Sequence, residues 1–253
     1  MMKTKRFMRI AVLAVAICSC LFLIGCGNSS EEPQDSAPTS APEVETTDAA
    51  AKDVVEEEAQ DLQIVKSGYN SVAGMETMVS YAMEVNNPNK GYKVNLLEVT
   101  ATAYDEAGNV IGTQKDLLHN IKPETTVFIA GMVYCDNENT SRVEFNINTA
   151  KESYIKSDEK NTPAPLSVKQ TEVYRDEIST GVKGTLVNEG DKKYTGVALP
   201  VVFYDSEDNI IFGINDMLSN VEPNSETPFK VELCMQFPEY DHYEVYPRVL
   251  GYE

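Results

Sequence analysis

Residues 104–123 read YDEAGNVIGTQKDLLHNIKP, and residues 204–223 read YDSEDNIIFGINDMLSNVEP. The two stretches align without a gap. Tyr104, Asp105, Asn109, Ile111, Asp116, Leu118, Asn120 and Pro123 recur as Tyr204, Asp205, Asn209, Ile211, Asp216, Leu218, Asn220 and Pro223. Recurrence at the spacing of one small domain is the signature of an internal duplication. In each copy Asp105 or Asp205 opens a turn, where its carboxylate can accept from backbone N–H groups two residues on. Gly108 suits a positive φ in that turn, whereas the second copy must place Asp208 or Asn209 there less comfortably.

Outward from these stretches, from Leu62 onward, apolar residues alternate with polar ones in short runs separated by turn signals, which is the pattern of strands. In the first copy strands are expected near 62–66, 75–86, 94–104, 109–114, 126–135 and 142–148. In the second they are expected near 166–174, 178–188, 195–204, 209–214, 227–236 and 242–249. No long amphipathic helix interrupts them. The fold class is therefore all-β, with two tandem immunoglobulin-like β-sandwich repeats over 62–150 and 166–253. The polar, Pro-ended stretch 151–165, KESYIKSDEKNTPAP, reads as the linker. Successive side chains of a strand point to opposite faces. Leu199, Val201 and Phe203 therefore share one face, and Val201 and Phe203 are expected in the core. Val202 and Tyr204 take the other face. The matching inner face of the first copy, Val99, Ala101 and Ala103, is smaller. Its core must be filled from elsewhere, with Phe128 and Met132 as candidates.

A second match lies upstream. Met83-Glu84-Val85-Asn86 and Thr185-Leu186-Val187-Asn188 each precede a polar loop and a tyrosine, Tyr92 or Tyr194. Those tyrosines are expected to pack at sandwich edges rather than to form a recognition surface. The second copy has Val182, Gly184 and Asn188, then Phe203-Tyr204-Asp205, a turn, and Pro223 before an apolar strand. This pattern resembles the FxLYD family, small extracytoplasmic β domains of immunoglobulin-like type found in bacterial lipoproteins. The second copy has Val201 and Phe203 where the family name places Phe and Leu, and the first copy is a weaker match, with Ala101 and Ala103 there. The resemblance implies neither enzymatic chemistry nor a known ligand.

The N-terminus reads as an address. Lys3, Lys5, Arg6 and Arg9 precede the apolar run 10–24, IAVLAVAICSCLFLI, and then Gly25 and Cys26. A basic segment, a short apolar segment and a small residue before the cut make a secretory signal. The run is short for a spanning helix, which needs about 20 residues. Leu23-Ile24-Gly25-Cys26 resembles the lipobox of bacterial lipoproteins, which makes residues 1–25 the signal peptide and Cys26 the lipid-bearing residue. Two acyl chains anchor stably where one does not. Residues 26–61 are rich in Ser, Thr, Pro, Ala and Glu and read as a disordered acidic tether, too poor in large apolar residues to fold. Within it, 49–61 could form a short frayed helix.

The formal net charge is −19 and the pI about 4.5. The four basic residues of the leader carry no acid beside them, so the chain beyond it is more acidic still. Nucleic acid is excluded as a partner by repulsion from its phosphates. Three of the five cysteines lie in the first 26 residues, so Cys135 and Cys234 form no disulfide framework; they are expected as isolated thiols, with an inter-repeat bridge as the alternative. Cys234 is expected to be partly exposed and, if Phe128 matches Phe229, to align with Val133.

Catalysis needs a nucleophile, a base and an orienting group. His119 is expected in a loop opposite Ser219 of the other copy, and His242 stands alone. No Gly-x-Ser-x-Gly, phosphate-cradling Gly loop or HExxH occurs. The clusters Asp205-Ser206-Glu207-Asp208-Asn209 and Asp136-Asn137-Glu138-Asn139 lack EF-hand spacing, so they are expected as acidic turns and no metal or cofactor is expected. These readings converge on a non-enzymatic lipoprotein at the extracytoplasmic face of the cell membrane. Its partner would be a protein or cell-envelope component. A solute-binding lipoprotein of a transporter is the alternative, and a wall hydrolase is disfavoured.

Overall fold

The computed structural model describes residues 58–72, 75–136, 140–234 and 236–252. The lipobox Cys26, the tether up to residue 57 and Asn137-Glu138-Asn139 of the first acidic cluster lie outside the described residues.

The first repeat contains β1 (Gln63–Val72), β2 (Met75–Asn86), β3 (Tyr92–Tyr104), β4 (Val110–Ile121), β5 (Thr126–Tyr134) and β6 (Arg142–Asn148). A 3-10 turn, Lys151–Ser153, and β7 (Tyr154–Lys156) follow. One sheet has the order β1-β2-β5; the other has β4-β3-β6, with β7 also on β3. The second repeat contains β8 (Leu166–Arg175), β9 (Thr180–Asn188), β10 (Tyr194–Ala198), β11 (Val201–Tyr204), β12 (Ile210–Ile214), β13 (Met217–Val221), β14 (Ser225–Leu233), β15 (His242–Val245) and β16 (Arg248–Tyr252). Its sheets run β14-β9-β8, β12-β11-β15 and β13-β10-β16. Every pairing is antiparallel. The fold is all-β, of immunoglobulin-like sandwich type, and both repeats belong to one compact unit.

The two copies share their strand order. The single strands β3 and β4 of the first copy correspond to β10 with β11 and to β12 with β13 in the second. Register fixes the equivalence: Ala101 pairs with Gln114 as Val201 pairs with Ile214. Pro200 therefore stands where the first copy has Thr100. Proline donates no ladder hydrogen bond, and the second strand breaks at Leu199-Pro200. There the Leu199 N–H donates to the Asp216 carbonyl (2.8 Å), and the Pro200 carbonyl accepts from Tyr246 N–H (2.9 Å).

The stretch 151–165 is not linker throughout. Its first part forms β7, whose Tyr154 pairs with Val94 and packs against the first core. Three residues are too few for alternation to reveal a strand, and a Tyr that covers a core edge holds this one in place.

Each sandwich closes on its own core. In the second, Leu199, Val201 and Phe203 are buried as their parity requires. Phe203 stacks on Phe212 (4.2 Å between ring centroids) and meets Phe237 and Tyr240 edge-on at 4.9 and 5.0 Å. In the first, Val99, Ala101 and Ala103 face inward, and the volume is supplied by Tyr81, Met83, Leu97 and Phe145. Tyr81 is wholly buried beneath Gly131, where an added Cβ would lie 2.7 Å from its hydroxyl. The hydroxyl donates to Asp116 Oδ2 (2.5 Å); burial first, then that carboxylate, pushes its pKa well up.

Phe128 and Met132 do not fill the first core. On β5 the inward positions are Val127, Ile129 and Val133, so Phe128 and Met132 point the opposite way. Phe128 stacks on Tyr246 at 3.6 Å, and Met132 packs against the second core. Met78 of β2 also belongs to that second core. The face of β11 opposite Phe203 is covered too: Val202 and Tyr204 are buried with Ala82, Ala130 and Ile210 in a cluster that joins the repeats. This explains why Val201-Val202-Phe203-Tyr204 is apolar without interruption, the pattern of a strand covered on both faces. The approach is close. A Cβ on Gly213 would lie 2.7 Å from Ala82 Cβ and 2.9 Å from Ala130 Cβ, and Ser80 Oγ donates to the Gly213 carbonyl at 2.5 Å.

Several of the recurring polar residues meet demands of backbone geometry, in turns and near strand ends. Asn120 and Asn220 both have φ of 56°, and Gly108 and Asp208 have φ of 82° and 60°. These left-handed positions favour Gly, Asn and Asp. Asp105 accepts from Asn109 N and Nδ2 (2.8 and 2.9 Å); Asp205 accepts from Asn209 N and Nδ2 (2.9 and 3.0 Å). These bonds hold both carboxyls below their ordinary pKa of 3.8. A depressed folded pKa means stability that is present above the unfolded value and lost as pH falls through the folded one. The double variant Asp105→Asn, Asp205→Asn should therefore show a shallower fall of Tm below about pH 4 than the parent. Superimposable Tm profiles between about pH 5 and pH 2 would show that the clamps contribute nothing.

The upstream match is displaced by one residue. Asn87, not Asn86, is the counterpart of Asn188. Asn87 Nδ2 donates to the Tyr92 and Lys122 carbonyls (3.0 and 2.9 Å), and its Oδ1 accepts from Asn89 N. Asn188 Nδ2 donates to the Lys192 and Glu222 carbonyls (2.8 and 2.9 Å), and its Oδ1 accepts from Gly190 N. Both are fully buried.

Candidate functional site

The sequence-flagged residues do not assemble into one site. His119 lies on β4, paired with Leu96, and is exposed. His242 stacks on Tyr204 (4.9 Å) and contacts Asp241 Oδ2 at 3.1 Å and Asp208 Oδ1 at 3.5 Å, which pins it to the second acidic turn. Asp205 spends its carboxylate on Glu207 and Asn209. Among the described residues no three His, Cys, Asp or Glu side chains converge on a common point. Cys135 is buried and Cys234 exposed, and both are free thiols. Phe229 pairs with Gly184 as Ile129 pairs with Met83. With Asn87 matched to Asn188, Ile129 is the counterpart of Phe229, so Cys234 aligns with Tyr134 rather than Val133. Tyr194 is buried and pairs with Val221, as Val94 pairs with Ile121, so Val94 rather than Tyr92 is its counterpart.

What the structure adds is a cleft of about 820 Å³. Its walls are residues 120–128 at the end of β4 and the start of β5, residues 161–166 before β8, and residues 245–251 across β15 and β16. This volume lies within the range of small-molecule sites, roughly 300–1,000 Å³. The apolar part comes from Val127, Phe128, Tyr246, Pro247 and the Pro163–Leu166 turn. The charged part is Lys93, Lys122, Lys192 and Arg248 against Glu159 and Asp191. Cations thus outnumber acids in the cleft of a chain whose net charge is −19.

Two of these cations serve the fold. Lys93 pairs with Glu159 (3.0 Å), and Lys122 Nζ donates to the Thr162 carbonyl (3.3 Å), so both tie down the segment between β7 and β8. Arg248 is different. It is partly buried, and its Nε is closed off from solvent with no hydrogen-bond partner. Burial lowers its pKa. Its cross-strand partner is Ala198; the corresponding pair in the first copy is Asn148 and Glu98, and Glu98 holds Lys115 at 2.9 Å. The position that carries a carboxylate in one copy thus carries a methyl group in the other, on the strand paired with that of Arg248. Sequence reasoning missed Arg248. The signal was present in the gapless alignment, where Glu98 faces Ala198, but reading it requires knowing which strands pair.

Tyr246 forms the cleft's inner edge. Its hydroxyl donates to Glu244 and contacts the Tyr204 hydroxyl at 2.9 Å, while its ring stacks on Phe128. Burial, then the bond to Glu244, raises its pKa far above the usual tyrosine value, so it is a neutral, fixed wall rather than a base.

No protein-family model matches the chain, and no curated protein does. Among solved structures, red sea bream transglutaminase is similar over 76% of this chain and 30% of its own, at 13% identity and a TM-score of 0.27. A glycosyl hydrolase family 2 member from Bacteroides cellulosilyticus is similar over 72% of this chain and 26% of its own, at 12% identity and a TM-score of 0.25. The chain spans less than a third of those proteins' lengths, and likeness at this level carries no functional argument.

Proposed function

We propose that this protein is a lipoprotein anchored through Cys26 at the extracytoplasmic face of the cell membrane, and that its tandem β modules bind without catalysing. The observation that carries this reading is the leader ending in Leu23-Ile24-Gly25-Cys26, followed by a long acidic stretch before the first strand. The resemblance of the second repeat to FxLYD domains points the same way. The partner is a protein or cell-envelope component rather than nucleic acid, which the chain's acidity repels. The cleft gives specific support to the second reading, a solute-binding lipoprotein that delivers a small molecule to a transporter.

Metabolic labelling with a fatty acid tests the anchor. The parent should incorporate label and remain with membranes; Cys26→Ser should incorporate none and accumulate unprocessed or released. Wild-type labelling of Cys26→Ser would end the lipobox reading.

A further inference from the structure

We infer that Arg248 anchors an anion-binding site in the cleft, and that its ligand is a small organic acid with a carboxylate or phosphate group on an apolar body. This deepens the binding reading above and rests on it. The chemistry follows from what surrounds the guanidinium. A polar group withdrawn from water costs stability unless something pairs with it, and the buried Arg248 Nε has no hydrogen-bond partner among the described residues. Arginine's planar fork matches carboxylate and phosphate oxygens in a two-bond geometry that no neutral group reproduces. Cations outnumber acids among the residues lining the cleft, which favours an anion's entry. Beside the charge lies an apolar wall of Phe128, Tyr246 and Pro247, suited to an aromatic or aliphatic body rather than a bare inorganic ion.

Thermal shift and calorimetry on the full chain, with benzoate, phenyl phosphate, inorganic phosphate and neutral benzamide as probes, test the assignment. Benzoate or phenyl phosphate at saturation should raise Tm by about 2–4 °C, and benzamide and inorganic phosphate by much less. The larger of the first two shifts identifies the head group. Arg248→Gln should weaken the bound probe at least about tenfold, the loss of a charge-assisted pair. Lys230→Gln, on the far β14 strand, should bind as the parent does. Arg248→Met should raise the Tm of the unliganded protein while abolishing binding, a combination that a purely structural arginine would not give. The assignment is overturned if neither anionic probe shifts Tm, or if Arg248→Gln binds like the parent. Those outcomes leave the anchor reading intact, because fatty-acid labelling at Cys26 is measured independently; loss of the anchor likewise leaves the binding result standing.

Discussion

Replacing Phe203 with alanine is expected to cost about 3–5 kcal/mol of folding free energy, the range for emptying a buried aromatic position. The ring is wholly buried and touches Phe212, Phe237, Tyr240 and Tyr243, so four aromatic neighbours lose their common contact at once. The site has little room to collapse, because the reverse face of β11 is fixed against the first repeat through Val202 and Tyr204. Urea denaturation followed by circular dichroism measures the loss. A cost below about 1 kcal/mol, the scale of an ordinary surface change, would mean that the ring does not organise this core. The equivalent Ala103 is just as buried. The first copy therefore shows that the strand itself tolerates alanine when Tyr81 and Phe145 supply the volume.

The other large effect concerns Asn188. Alanine there leaves the Lys192 and Glu222 carbonyls and the Gly190 N–H without their partner inside the fold, at about 1–3 kcal/mol per unsatisfied group. The loss for Asn188→Ala should therefore reach several kcal/mol. Asn188→Asp is isosteric yet should be worse at neutral pH, because its carboxylate would face two carbonyl oxygens at hydrogen-bond distance. Lowering the pH should restore part of the Asp variant's stability, since a protonated carboxyl can donate one of the missing bonds. An Asp variant as stable as the parent at neutral pH would show that the amide's donors are not what holds this loop. Asn87 makes the same pattern of bonds, and its variants should behave alike.

Much of this architecture was legible as a sequence, and particular residues show why the rest was not. Parity placed Leu199, Val201 and Phe203 inside, because a two-residue period reports which side chains share a face. Parity does not report what covers the other face, so it cannot tell that Phe128 and Met132 turn toward the second repeat or that Val202 is covered by the first. The turn residues were readable because positive φ restricts residue choice, as at Gly108 and Asp208. Asn87 was missed in favour of Asn86 because two adjacent asparagines look alike until one is seen to be buried. Arg248 was invisible for a stronger reason. Its significance is a buried Nε without a hydrogen-bond partner among the described residues, and that depends on cross-strand register, not on any local pattern.

The break at Leu199-Pro200 bears on how a duplicated chain avoids confusing its own halves. Sibling repeats can pair a strand from one copy with a neighbour from the other, and such misassembly is a known hazard of tandem folds. In the first copy Thr100 sits mid-strand between Lys115 and Asn146. A second-copy strand misplaced there would bring Pro200, with no N–H and a ring that resists a central ladder. The proline thus marks the later copy's strand as non-interchangeable, a safeguard of folding fidelity written into a single residue.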